Sequence, residues 1–123
     1  MIPDDATTLN NYAYYLSVRG EQLEKAERMS KRSNELAPGQ PSYQDTYAWV
    51  LFRSKKFVEA RTWMEKAIAG SPDPDGELLE HHADILFELG ETAAALEQWK
   101  LAKARGGASD LIDRKINEAR RVE

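Results

Sequence analysis

Two adjacent histidines, His81 and His82, are the only imidazoles in this chain of 123 residues, and imidazole is the side chain best suited to acid–base or metal chemistry near neutral pH. Neighbours on a helix point about 100° apart. The pair therefore cannot grip one ion as two histidines four residues apart can. His81 alone could meet Glu77 on one side and Asp84 on the other, a weak cluster for a metal or a proton. His82 reads as a packed, hydrogen-bonded histidine. There is no cysteine, hence no thiolate site and no disulfide. No HExxH pair, phosphate-cradling glycine loop or nucleophile elbow occurs. The many glutamates alternate with Lys and Arg, as at Glu59 and Glu65-Lys66, in the manner of solvated helix faces. The expectation is a chain that is not an enzyme and uses no metal or cofactor, with a helical metal-dependent hydrolase as the remote alternative.

Composition narrows the partners. A net charge of −4 lacks the excess of Lys and Arg that phosphate neutralisation demands, which argues against nucleic acid. No run approaches the roughly 20 apolar residues that span a bilayer, so direct membrane insertion is not expected. The opening residues Met1 to Asp5 lack the basic-then-apolar pattern of a secretory signal, and any address for the native protein is expected to lie outside this chain.

The elements that must position any site come from periodicity. Breaks fall at Gly20, at Pro38 to Pro41, at Gly70 to Pro74, at Gly90 and at Gly106-Gly107. The segments between them carry apolar residues at helical spacing, such as Leu9, Ala13 and Leu16, or Phe57, Ala60, Met64 and Ala67. The pattern also repeats itself. Ala13, Ala48 and Ala83 stand 35 residues apart, as do Leu16, Leu51 and Leu86, and Tyr12, Tyr47 and His82. Such a period means stacked helix pairs, each unable to bury its apolar face alone. Gly20 and Gly90 suit a turn at positive φ, where Lys55 takes the equivalent place at some conformational cost. The spacing slips by one residue between Gly20 and Ala26 and again between Pro72 and Leu79. Ser30 and Ser33 replace the bulk of Met64 and Trp99 and the alanines Ala67 and Ala102, so the first of the second helices should pack least tightly. After Gly107, Ser109 reads as an N-cap of a last helix with Leu111, Ile112, Ile116 and Ala119 on one stripe.

These residues resemble the tetratricopeptide repeat, a helix-turn-helix unit of about 34 residues. Ala13, Ala48 and Ala83 fill its small-residue slot and Ala26, Ala60 and Ala95 its second-helix alanine slot. The resemblance implies an all-α α-solenoid of seven helices: three repeats, about 6–40, 41–75 and 76–107, plus a capping helix at about 109–121, in a single domain over 1–123. Pro3-Asp4-Asp5 reads as the tail of an upstream repeat, so the chain is expected to be the carboxy-terminal piece of a longer bacterial protein with an uncapped first edge able to form a homodimer. Similarity to the terminal repeats of large bacterial repeat proteins implies the periplasm or cell envelope over the cytoplasm.

In such a stack the first helices line a concave groove. The expected groove residues are Asn10, Tyr14, Ser17 and Val18, then Asp45, Trp49, Phe52 and Arg53, then Glu80, Asp84, Phe87 and Glu88. Aromatic residues there would act as anchors, and the acids outnumber Arg53, which favours a protein or peptide with apolar and basic residues. The same acids disfavour capture of a terminal carboxylate. The expected function is a protein–protein interaction scaffold holding a segment in the groove. The alternative is a structural spacer or self-association module of a larger envelope protein.

Overall fold

The computed structural model describes residues 5–119, among which there are seven helices and no strand. They are α1 (Ala6–Arg19), α2 (Leu23–Leu36), α3 (Pro41–Arg53), α4 (Phe57–Ala69), α5 (Gly76–Glu88), α6 (Thr92–Arg105) and α7 (Ile112–Glu118). The expected all-α architecture of helix pairs and a last short helix is what the chain forms. The reading of Pro3-Asp4 as a repeat tail, and of residues 120–121 as cap helix, lies outside the described residues. Among the described residues no helix is long and apolar enough to cross a membrane.

The chain divides after Gly70 into two compact units. In the first, α1 pairs with α2 and α3 with α4, and α3 also packs on both α1 and α2. The stripe Leu9, Ala13 and Leu16 of α1 meets Ala26 and Met29 of α2 and Val50 of α3 in one buried cluster. Asp5 starts α1 as its N-cap, its carboxylate accepting from the Thr7 N–H and the Thr8 hydroxyl. Ser30 and Ser33 are both sealed from solvent. The Ser33 hydroxyl donates to the Ala6 carbonyl at 2.7 Å, whereas Ser30 Oγ has no partner. The first pair therefore differs from the others by buried polarity in place of apolar bulk.

The second unit packs α5 on α6 and α6 on α7. Leu79, Ala83 and Leu86 face Ala95, Trp99 and Ala102, with Ile112 of α7 closing the cluster. Gly76 stands at the start of α5 where the backbone arrives from α6. Its N–H donates to the Gly106 carbonyl at 2.8 Å, and a Cβ there would lie 2.4 Å from that same oxygen. Only glycine permits this approach.

The three helix-pair turns share one design. Gly20, Lys55 and Gly90 all adopt left-handed φ, of +69°, +65° and +85°. In each the following N–H bonds back five residues, to the carbonyls of Leu16, Leu51 and Leu86, closing the helix with a Schellman turn. The extra residue of the first turn is absorbed by Gln22, also at positive φ.

Candidate functional site

The inner face of the first unit is built by α1 and α3 side by side. Two long-range bonds set their register. Tyr43 and Thr7 share a hydroxyl contact of 2.7 Å near one end, and Arg53 Nε donates to the Ser17 carbonyl at 3.2 Å near the other. The second bond also sets a cation against the carbonyl end of α1, where the helix dipole is negative. On the face so framed Tyr14 and Val18 are exposed, and Asp45, Trp49 and Arg53 are half-buried. Phe52 lies beneath, stacked on Trp49 with ring centroids 4.7 Å apart and planes 15° from parallel. Buried Phe52 thus holds the indole in place, which gives a rigid apolar platform.

Besides Phe52, two further expected members are not presented on this surface. Asn10 sinks between helices, its Oδ1 sealed and without a hydrogen-bond partner. Ser17 is fully buried and donates its hydroxyl to the Tyr14 carbonyl at 2.7 Å. The reason is angular. Both lie on the flank of α1 nearest Leu9 and Ala13, so the closeness of the neighbouring helix covers them.

The corresponding face of α5 is a different environment. Glu80 and Asp84 are buried and converge on Lys115 of α7, whose Nζ lies 2.6 Å from Glu80 Oε2 and 3.0 Å from Asp84 Oδ2. Glu80 accepts in addition the Ser109 N–H and hydroxyl, at 2.7 and 2.6 Å. Asp84 accepts the indole N–H of Trp99 at 2.9 Å. Burial alone would push the Glu80 carboxyl up, but the bonds from Lys115 and Ser109 hold it below its ordinary 4.5. For Asp84 burial wins over the pull of Lys115 and Trp99, and the carboxyl is pushed up from 3.8. Phe87 is half-buried against Trp99, 5.7 Å between rings, and Glu88 is half-buried at the end of α5.

Two of the four acids expected to make the groove acidic are therefore consumed by an internal ammonium. The cluster expected around His81 loses Asp84 for the same reason. His82 is half-buried with Nδ1 3.4 Å from Gln98 Oε1, as a packed histidine should be. Lys115 and the donors on Ser109 and Trp99 were not singled out by sequence reasoning. A signal was there: Lys115 sits three residues after Ile112 and one before Ile116, on the apolar stripe of α7. Ser109 is not the N-cap expected of it: α7 starts at Ile112, its N-cap is Leu111, and no side chain caps it. Ser109 accepts the Leu111 N–H at 3.2 Å while spending its donors on Glu80.

Comparison with known proteins bears on the fold. The first TPR domain of human RPAP3 superposes with a TM-score of 0.81 at 16% identity, over 93% of this chain and 88% of that one. The fold is that of the tetratricopeptide repeat. The first TPR of Spaghetti (RPAP3) bound to the HSP90 peptide SRMEEVD is equally similar, with a TM-score of 0.81 at 16% identity over 93% and 89%. PilF of Pseudomonas aeruginosa gives 0.69 at 19% identity, over 94% of this chain and 56% of that one. A curated TPR repeat-containing protein, also of Pseudomonas aeruginosa, is 28% identical over 71 residues, which is 58% of this chain and 12% of that protein. The match thus spans about an eighth of that relative's length. No family model matches the chain.

Proposed function

We propose that the chain is a non-enzymatic binding module that holds a peptide or protein segment on the inner face of α1 and α3. The observation that carries the reading is that the packed helices α1 and α3 present exposed Tyr14 and Val18 on one and half-buried Trp49 on the other, the indole stacked on the buried ring of Phe52. Rigid aromatic side chains at the centre of a contact supply most of its energy at low entropic cost. One acid and one base, Asp45 and Arg53, flank this platform, so the favoured partner carries apolar or aromatic anchors and no strong charge of either sign. A neighbour in fold is bound to an HSP90 peptide, which supports peptide recognition as the class of work.

A random-peptide phage library selected against the protein supplies the probe, and calorimetric titration of a selected peptide reads it. Tyr14→Ala and Trp49→Ala should each weaken binding by roughly 30-fold, the effect of losing a hot-spot side chain. Tyr14 is exposed, so its variant keeps the fold, and a matching circular-dichroism melt checks this. A library that yields no binder, or binders indifferent to both substitutions, overturns the reading.

A further inference from the structure

Two separate structural demands meet at the start of α5 and leave a reactive pair there. Asp75 is followed by Gly76, and no other Asp or Asn of the chain precedes a glycine. Asp75 is the N-cap, its Oδ1 accepting the Leu78 N–H at 3.0 Å. At position 76 a Cβ would lie 2.4 Å from the Gly106 oxygen, 2.6 Å from that of Ala102 and 2.7 Å from the Ala108 nitrogen, so a side chain is shut out. The result is the dipeptide whose backbone most readily attacks its own side chain, because no Cβ hinders the nitrogen that follows the aspartate. The fold restrains that attack at three points. The Gly76 N–H is engaged by the Gly106 carbonyl at 2.8 Å. The Asp75 carboxylate is turned toward Leu78. A ψ of 175° at Asp75 keeps its Cβ and the Gly76 nitrogen staggered about the Cα–C bond, whereas ring closure needs them nearly eclipsed.

We propose that Asp75–Gly76 is a covalent modification site of the second unit, at which isoaspartate forms when the start of α5 parts from Gly106 and is held off while the two are joined. In the open chain the Gly76 nitrogen attacks Cγ of the Asp75 carboxyl. The N–H proton and the carboxyl hydroxyl leave as water, and a five-membered succinimide remains. Water then adds to the Asp75 main-chain carbonyl carbon and breaks its original bond to the Gly76 nitrogen. The chain now runs through Cβ and Cγ, with a free carboxylate on Cα. One water leaves and one returns, so mass and oxidation state are unchanged. The product has an added methylene in its main chain and a carboxylate one carbon nearer to it. It therefore loses the reach to Leu78 N–H and overfills the slot that the backbone around Ala102, Gly106 and Ala108 leaves at position 76. A unit that reacts while open does not close as before. Asp75 is exposed, so the new carboxylate is accessible to an enzyme that methylates isoaspartate.

The full chain is incubated at neutral pH for days, folded in buffer or unfolded in urea. Isoaspartate is then counted with a protein-isoaspartate methyltransferase and labelled S-adenosylmethionine, and peptide mapping places it. The label should gather at Asp75 more than about tenfold faster in urea than in buffer, since the folded chain reacts only through its open fraction. Asp75→Ser keeps a capping oxygen and has no carboxyl to close the ring, so it should carry no label there while melting close to the wild type. Isomerised chain purified from urea and returned to buffer should melt below the unmodified chain treated alike. Equal rates in the two solvents overturn the proposal, because the fold then restrains nothing. A chain that gains no label at Asp75 even in urea, or an isomerised chain that melts as the unmodified one does, overturns it equally.

Discussion

The inner face of α1 and α3 and the inner face of α5 start from the same register and end in opposite states. Asn10, Asp45 and Glu80 share one position, and Tyr14, Trp49 and Asp84 another. In the first unit Asn10 is buried but Tyr14 is exposed and Asp45 and Trp49 are half-buried, while in the second these positions are two buried carboxylates closed over by Lys115. The difference teaches that a repeat position does not by itself decide between exposed surface and core. What decides it is the next element along the chain. After α5 and α6 a short helix brings an ammonium on its apolar stripe, and two acids become its ligands. Each acid has a further donor besides Lys115, from Ser109 or Trp99, which is what keeps a buried charge cluster from being ruinous.

The largest expected effect breaks this contrast from the closed side. Lys115→Ala leaves two buried carboxylates facing each other without their cation, and removing one partner of a buried charge pair costs about 3–5 kcal/mol. Urea unfolding should show that loss, and the amides of α7 should lose protection from hydrogen exchange as the helix comes away. A loss under about 1 kcal/mol would be the size of a solvated surface pair and would erase the distinction between the two faces.

Proton titration sharpens the contrast within the closed site, because its two carboxylates are displaced in opposite directions. Glu80 is held below 4.5 in the folded chain, so its contribution is fully present above that value and is lost as pH falls through the folded one. Asp84 is raised above 3.8, so the fold favours its neutral form, and stability declines as pH rises from 3.8 through the folded value. Unfolding midpoints measured from about pH 3 to 7 should then give opposite slopes. The advantage of the wild type over Glu80→Gln should narrow on acidification below 4.5, and the wild type should lose ground to Asp84→Asn as pH rises above 3.8. Parallel slopes would mean that both groups titrate as one solvated pair.

Much of the fold was legible because it rests on local rules. Stripes such as Leu79, Ala83 and Leu86 announce a helix by spacing alone, and the positive-φ turn at Gly20 and Gly90 follows from residue type. The candidate platform was legible as well, since Tyr14, Trp49 and Phe52 fall on one face by angle. What escaped depends on approach between distant residues. The need for Gly76 arises from the carbonyls of Ala102 and Gly106, about thirty positions away. Glu80 and Asp84 look like surface acids until Lys115, a residue that ordinarily extends its ammonium into water, is turned inward. The burial of Asn10 and Ser17 likewise follows from how closely the helices pack and not from their own types.

The smallest expected effect concerns the turns, where the α3–α4 turn of the first unit carries lysine at the position that glycine holds in the α5–α6 turn of the second. Lys55 of the first unit and Gly90 of the second close their helices with the same bond, from Lys56 N–H to Leu51 at 2.9 Å and from Glu91 N–H to Leu86 at 3.0 Å. A side chain in the left-handed region costs about 1–2 kcal/mol. Glycine removes that strain but loses about 0.5–1 kcal/mol through the freedom of its unfolded chain. Lys55→Gly should therefore stabilise the protein by about 0.5–1 kcal/mol, seen as a modest rise in the thermal midpoint. Gly90→Lys should reverse the trade by a similar amount. If Lys55→Gly brings no gain while Gly90→Lys is costly, the lysine side chain itself supports the first unit's turn, and the two turns are alike in backbone but not in what holds them.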